Sequence, residues 1–225
     1  MFGRVAPRYD LMNDVMTLGL HRYWRHLAAR AAALGLQGLG LDIGAGTGDL
    51  AQALARQPGI ARVAAVDLVP GMVARGRDKA RRRRSRAAPI AFALADGLRL
   101  PFRDGTFACA VSGFTLRNVA DLPACLAELR RVLVRGGRTV HLELTPVAGR
   151  RLPERLFLAY FHHVVPRLGQ VLAGNRSAYT YLPRSVLAFP NAEGLAEMLR
   201  QSGYVGVGYR LLAGGTTAIH WGTKG

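Results

Sequence analysis

Acidic residues are scarce in this chain: 14 Asp and Glu stand against 31 Lys and Arg, a formal net charge of +17 with a sequence pI of 11.4. Such a surface attracts polyanions, either nucleic acid or the anionic face of a membrane, and charge alone does not choose between them. Cysteine is nearly absent. The two present, Cys109 and Cys125, form no metal spacing and no disulfide framework, so they read as buried free thiols in a reducing compartment. Long apolar runs are missing too. The most apolar stretch, Leu156 to Leu172, is broken by His162, His163, Pro166, Arg167 and Gln170 and falls short of the ~20 apolar residues that span a bilayer. The N-terminus lacks the apolar core and cleavage site of a secretory signal, so a cytoplasmic protein is expected. Repeats, low-complexity linkers and His/Cys/Asp/Glu metal-ligand spacings are absent as well, leaving one domain over residues 1–225 with no metal expected.

What is present begins with Leu41-Asp42-Ile43-Gly44-Ala45-Gly46-Thr47-Gly48-Asp49. Apolar Leu39, Leu41 and Ile43 predict a short interior strand, and glycines at alternate positions let the backbone turn sharply and approach a ligand. The dinucleotide fingerprint places glycine at its first, third and sixth positions; here the sixth is Asp49 and the glycine falls at the fifth, which disfavours NAD. The G-x-G-x-G form, with Asp42 two residues ahead, instead resembles the S-adenosylmethionine loop of Rossmann-like methyltransferases, and its acidic flanks suit a cationic ligand. A second strand, Val63 to Val66, ends in Asp67, where a carboxylate can accept both hydroxyls of a ribose.

Short apolar runs predict strands near 39–43, 62–67, 90–95, 107–113 and 138–144, with helices between them, the pattern of a doubly wound parallel sheet. Gly203 to Arg210 and Thr216 to Gly222 alternate around Ala213-Gly214-Gly215, a hairpin that adds an antiparallel strand at one edge. The expected fold is therefore α/β, Rossmann-like, with a seven-stranded mostly parallel sheet. Residues 1–34 form a helical N-terminal cap and 150–190 a helical insert that cover the substrate. The run Arg81-Arg82-Arg83-Arg84 with Arg86 reads either as a solvated helix end that complements the helix dipole or as a polyanion contact.

More specific than the glycine loop is the N-terminal run from Phe2 through Tyr9-Asp10-Leu11-Met12-Asn13-Asp14 to Met16, followed by Gly19, His21, Arg22 and Trp24-Arg25. Together with Leu100-Pro101-Phe102, Phe114 to Val119, Arg131-Val132-Leu133, Gly136-Gly137, Leu142-Glu143-Leu144, Tyr181 to Ser185, Phe189-Pro190 and Ala218 to Gly222 with Lys224, it closely resembles the ubiquinone/menaquinone biosynthesis C-methyltransferases along essentially the whole chain. The resemblance implies class I methyl transfer from S-adenosylmethionine to a ring carbon of a prenylated quinol, either demethylmenaquinol or a benzoquinol precursor of ubiquinone. By motif position it implies donor contacts at Asp42, Thr47, Asp67, Asp96, Gly97 and Gly113, with Gly44, Gly46 and Gly48 shaping the loop. Departures occur at Asp96-Gly97 (commonly Asn-Ala), Ala108 (commonly Asp), Gly113 (commonly Ser) and Thr115 (commonly Gly), so the acceptor is less tightly specified than the donor.

Carbon methylation requires a nucleophilic ring carbon, created when the neighbouring hydroxyl loses its proton, and a nearby cation stabilises that oxyanion. Arg117 is the candidate. It follows the fourth strand's carboxyl end, with Asn118 beside it to orient a quinol oxygen or a water and Tyr9 with Asp10 to close the site. An arginine is never a free base in a protein, so a water or a carboxylate takes the proton. A salt bridge from Arg117 to Asp121 or another acid is the alternative. His141 and His220 read as satisfied core histidines, and His162-His163 face different sides of a helix. Leu156, Phe157, Tyr160 and Phe161 form a helical stripe for the prenyl tail, for lipid or for the core. Expected partners are thus the prenylated quinol and an anionic membrane surface on its inner face, with no nucleic acid; a homodimer is compatible with the sequence and not specified by it. The competing functions are a methyltransferase of another small aromatic or prenylated acceptor, a nucleic-acid-binding protein or RNA methyltransferase suggested by charge and the arginine run, and a degenerate donor-binding partner without activity.

Overall fold

Alternation of apolar and polar residues at helical spacing builds helix α1 (Leu20–Ala33), whose buried face of Trp24, Ala28, Ala29, Ala32 and Ala33 also carries His21 and Arg25. The computed structural model describes residues 14–82, 87–147, 159–160 and 185–225, and the statements below concern those residues. Seven strands follow in one sheet: β1 (Gly38–Ile43), β2 (Ile60–Asp67), β3 (Ile90–Leu94), β4 (Phe107–Gly113), β5 (Leu133–Leu144), β6 (Tyr204–Leu212) and β7 (Thr217–Lys224). Their order is β3-β2-β1-β4-β5-β7-β6. The first five run parallel; β7 lies antiparallel between β5 and β6, so the C-terminal hairpin joins at the β5 edge as its alternation predicts.

Strand β4 is buried along nearly its whole length, as a central parallel strand covered on both faces must be. One face is covered by α1, by α2 (Asp49–Ala55) and by Val73 of α3 (Pro70–Arg82); the other by α4 (Leu122–Val132) and α5 (Ala192–Gln201). Both α4 and α5 start where a side chain caps the first turn: Asp121 accepts from the Ala124 N–H and Asn191 from the Gly194 N–H. Strand order reverses between β1 and β4, and at this switch point a crevice opens beyond the carboxyl ends of the strands, where ligands of such sheets bind.

Two sequence expectations need correction. No helix occupies residues 95–106, between β3 and β4. Pro101 and Asp104-Gly105 oppose one, and the segment is held instead by Arg131, whose guanidinium donates to the carbonyls of Phe102 (2.9 Å) and Leu100 (3.2 Å) and pairs with Asp104 (2.6 Å). Strand β5 starts at Leu133 rather than near 138, because the chain stays extended through an irregularity at Gly136 (φ 75), where the register against β4 shifts.

Candidate functional site

The loop after β1 is shaped by left-handed glycines: Gly44 (φ 58), Gly46 (φ 56) and Gly48 (φ 83). Gly48 also precedes α2, and a Cβ there would stand 2.5 Å from Cζ of Phe92, so β3 leaves no room for a side chain. Asp67, at the end of β2, accepts from the Gly46 N–H through Oδ2 and from the Val69 N–H through Oδ1, both at 2.8 Å. It ties the second strand to the glycine loop. Each oxygen has a second lone pair for a ribose hydroxyl.

Beneath this loop lies Asp42, 1% exposed, with both carboxylate oxygens lacking a hydrogen-bond partner in the structure. Burial pushes its carboxyl up to about 8, against the weaker pulls of the nearby Ala51 N–H, too poorly placed to count as a hydrogen bond, and then of the Arg25 charge. A buried acid without a partner is costly and calls for a cation. S-adenosylmethionine carries an ammonium and a sulfonium, and its donor loop fits here: left-handed glycines clear the approach, Asp67 stands at the second strand's end, and Asp42 supplies uncompensated carboxylate oxygens. These residues therefore suit that cofactor.

A polar chain that the sequence reading missed ties helix α1 to the loop. Asp14 accepts from Nε2 of His21 at 2.8 Å, and Nδ1 of His21 accepts from the guanidinium of Arg25. Burial and then the Arg25 charge hold His21 below its ordinary range, so the ring is neutral with its proton on Nε2, as these partners require. Arg25 pairs with Asp49 at 3.3 Å, Asp49 pairs with Lys79 at 2.7 Å, and Lys79 reaches the Thr47 hydroxyl at 3.5 Å. The signal was visible in part: His21 and Arg25 are polar residues on the apolar stripe of α1, and Asp49 follows the third glycine directly.

On the facing strand, Gly113 closes β4 and Phe114 adopts φ 57, a left-handed conformation unusual for an aromatic residue and characteristic of functional sites. Thr115 then donates to the Gly44 carbonyl at 3.1 Å. Arg117 sits in the single turn Leu116–Asn118 and is paired not with Asp121, which caps α4, but with Glu143 of β5 at 2.5 Å. Both side chains are nearly buried, at 8% and 1% exposure, and Nε of Arg117 has no partner in the structure. Asn118 is exposed beside them, with its amide 3.5 Å from the Phe114 carbonyl. The structure thus brings Arg117, Asn118 and Gly113 together at the carboxyl ends of β4 and β5. Asp96 and Gly97 follow β3; Oδ1 of Asp96 accepts from the Leu98 N–H at 2.9 Å. Glu143 went unassigned in the sequence reading, although a lone acid within the apolar run of β5 marked it.

Tyr9, Asp10, His162 and His163, the insert over 150–190 apart from its described residues, Leu156, Phe157 and Phe161, and Arg83, Arg84 and Arg86 lie outside the described residues. His141 and His220 are core residues, as expected. His141 is bonded to Ser112 (2.8 Å) and Thr139 (3.0 Å), and His220 to the Ala192 carbonyl (2.8 Å). Cys109 and Cys125 are free and buried, and burial pushes both thiols up to about 12.

The ubiE/COQ5 methyltransferase family is matched over residues 1–224. The demethylmenaquinone methyltransferase of Deinococcus radiodurans is 43% identical over 224 residues, covering 100% of this chain and 91% of that protein. That of Thermus thermophilus is 41% identical over 229 residues with full coverage of both, and the ubiquinone/menaquinone biosynthesis C-methyltransferase UbiE of Desulfotalea psychrophila is 38% identical over 224 residues, covering 100% and 89%. Among solved structures, a possible histamine N-methyltransferase from Thermotoga maritima superposes with a TM-score of 0.63 at 17% identity over 100% of both chains. Phosphoethanolamine N-methyltransferase 2 of Haemonchus contortus, in complex with S-adenosyl-L-methionine, gives 0.65 at 13% identity over 90% of this chain and 52% of that one. At such identities the likeness is one of fold.

Proposed function

The chain belongs to the ubiE/COQ5 methyltransferase family, and from that premise we propose how its residues carry the reaction. It is an S-adenosylmethionine-dependent C-methyltransferase of quinone biosynthesis whose acceptor is a prenylated quinol ring, demethylmenaquinol or the benzoquinol intermediate of ubiquinone. The full-length identity to relatives of that activity carries this reading.

When bound, the cofactor supplies an electrophilic methyl group. Gly44, Gly46 and Gly48 open the loop to it, Thr47, Asp67, Asp96, Gly97 and Gly113 line its place, and Asp42 offers the counter-charge. Arg117 holds the quinol oxygen adjacent to the methylated carbon as an oxyanion, its own charge tempered by Glu143. An arginine does not serve as a free base in a protein, so Glu143 or a water oriented by Asn118 receives the hydroxyl proton. Tyr9, with the flanking segments 1–34 and 150–190, excludes water from the ring within a single catalytic unit.

The acceptor is a bilayer lipid, and a net charge of +17 favours a peripheral position on the inner face of the cytoplasmic membrane, at about 1 kcal/mol per basic residue near an anionic surface. Among the described residues no helix is long and apolar enough to cross a membrane. Co-sedimentation with anionic vesicles at low salt and release at high salt is expected; equal indifference at both would remove the membrane contact. For the reaction itself, the chain is placed in a bacterial strain lacking its own quinone methyltransferase and the quinone mass is read. Restored methylated quinone is expected, and accumulation of the demethyl species alone would refute the activity.

A further inference from the structure

Arg25 belongs to helix α1, outside both the donor loop and the acceptor segment, yet its guanidinium joins the two. On the donor side it pairs with Asp49 at 3.3 Å, the residue directly after Gly48. On the acceptor side its Cζ stands 5.9 Å from the ring centroid of Phe114, the left-handed residue that starts the turn to Arg117 and Asn118. From behind, His21 accepts its third contact through Nδ1, and Asp14 in turn fixes the His21 ring. His21 is 2% exposed and Arg25 7%, so solvent competes for neither.

We propose that Arg25, held by His21, is the alignment residue of the methyl transfer: it sets the distance and angle between the donor loop at Asp49 and the acceptor segment at Phe114. This rests on the reading of those two segments given above. In-line transfer tolerates little error, and a displacement of about 1 Å costs on the order of 100-fold in rate. Nη1 of the guanidinium serves both His21 and Asp49 while the group's Cζ stands near the Phe114 ring; a lysine ammonium is a point charge on a differently shaped side chain and is not interchangeable with arginine at such a stacked site. Arg25 touches neither methyl donor nor ring in this assignment. It acts through position, so its loss should appear in kcat and spare both binding steps.

The test compares wild type with Arg25→Lys, which keeps the charge, by steady-state kinetics and by calorimetric titration with S-adenosylhomocysteine. Arg25→Lys is expected to lower kcat at least tenfold, with the dissociation constant for S-adenosylhomocysteine and the KM for the quinol within threefold of wild type. A kcat within threefold of wild type overturns the proposal; so does an equal loss of kcat and S-adenosylhomocysteine affinity, which would make Arg25 a donor-binding residue. Should Arg25→Lys fail to fold, His21→Leu, which removes the acceptor behind Arg25 and fills its volume, is expected to lower kcat about tenfold at unchanged affinity, and a kcat within twofold overturns the idea. Wild type that binds no S-adenosylhomocysteine refutes the donor site itself, a failure separate from any behaviour of the variants.

Discussion

The hydroxyl of Thr115 donates to the carbonyl of Gly44 at 3.1 Å, and a Cβ built on Gly44 would lie 2.1 Å from Cγ2 of that same threonine. Thr115 occupies the space a side chain at 44 would need, which gives a physical reason for glycine at position 44. Gly44→Ala is expected to weaken S-adenosylhomocysteine binding at least tenfold and lower Tm, through both the clash and the left-handed φ of 58. Adding Thr115→Gly removes the clash, so the double variant is expected to recover part of the affinity. Calorimetry on the four proteins of this cycle measures the coupling, and strict additivity would deny that the residues share one space.

Arg117 and Glu143 form a nearly buried pair, so removing either leaves the other charge uncompensated, a loss of about 3–5 kcal/mol in such sites. Arg117→Ala is expected to abolish methyl transfer and to lower the urea midpoint while retaining affinity for S-adenosylhomocysteine. Equal loss of transfer and of donor affinity, in protein shown to be folded by circular dichroism, would refute the role of Arg117 at the quinol.

Burial pushes the Asp42 carboxyl up to about 8, so at neutral pH most molecules carry it protonated. A cationic donor beside it favours the ionised form. Binding of S-adenosylmethionine at pH 7 is therefore expected to release close to one proton, and affinity to rise with pH until about 8 and then level off. Calorimetry in buffers of differing ionisation enthalpy counts the protons. The sign for stability is opposite: a carboxyl raised on folding contributes stability that is present below its unfolded value near 3.9 and lost as pH rises through 8. Asp42→Asn is thus expected to raise the Tm of the ligand-free protein by several degrees at pH 7, and to lose the proton release with much of the donor affinity.

Local signals made most of the fold legible. The β1 loop, the acid ending β2 and the C-terminal alternation each report on residues close in sequence, and each reads through to the structure. The missed features depend on contacts between distant segments. Nothing in the local pattern around Arg117 says that its guanidinium meets Glu143 rather than Asp121, since the choice is made by the parallel pairing of β4 with β5. The Arg25 contacts to Asp49 and Phe114 likewise exist only once α1 packs against α2 and β4. The missing helix after β3 was legible in hindsight from Pro101 and Asp104-Gly105, where turn chemistry outweighs the expectation of strict strand and helix alternation.

His141 and His220 lie directly opposite one another on β5 and β7, both fully buried. Burial, with a smaller contribution from His220, holds His141 down at about 3, and burial also lowers His220. A histidine lowered on folding contributes stability that is present above its unfolded value near 6.5 and lost as pH falls toward the folded value. Asp42 acts in the reverse sense over part of that range, so the raw pH profile of stability mixes the two. The difference between wild type and His141→Gln separates them, because Asp42 is common to both. Gln offers a donor and an acceptor to Ser112 and Thr139 and does not titrate, so the difference in urea midpoint is expected to favour wild type most above pH 6.5 and to shrink steadily as the pH is taken to 4. A difference that stays constant over this interval would mean that His141 is already charged in the folded protein, and the hydroxyl pair around it would then need a different proton arrangement.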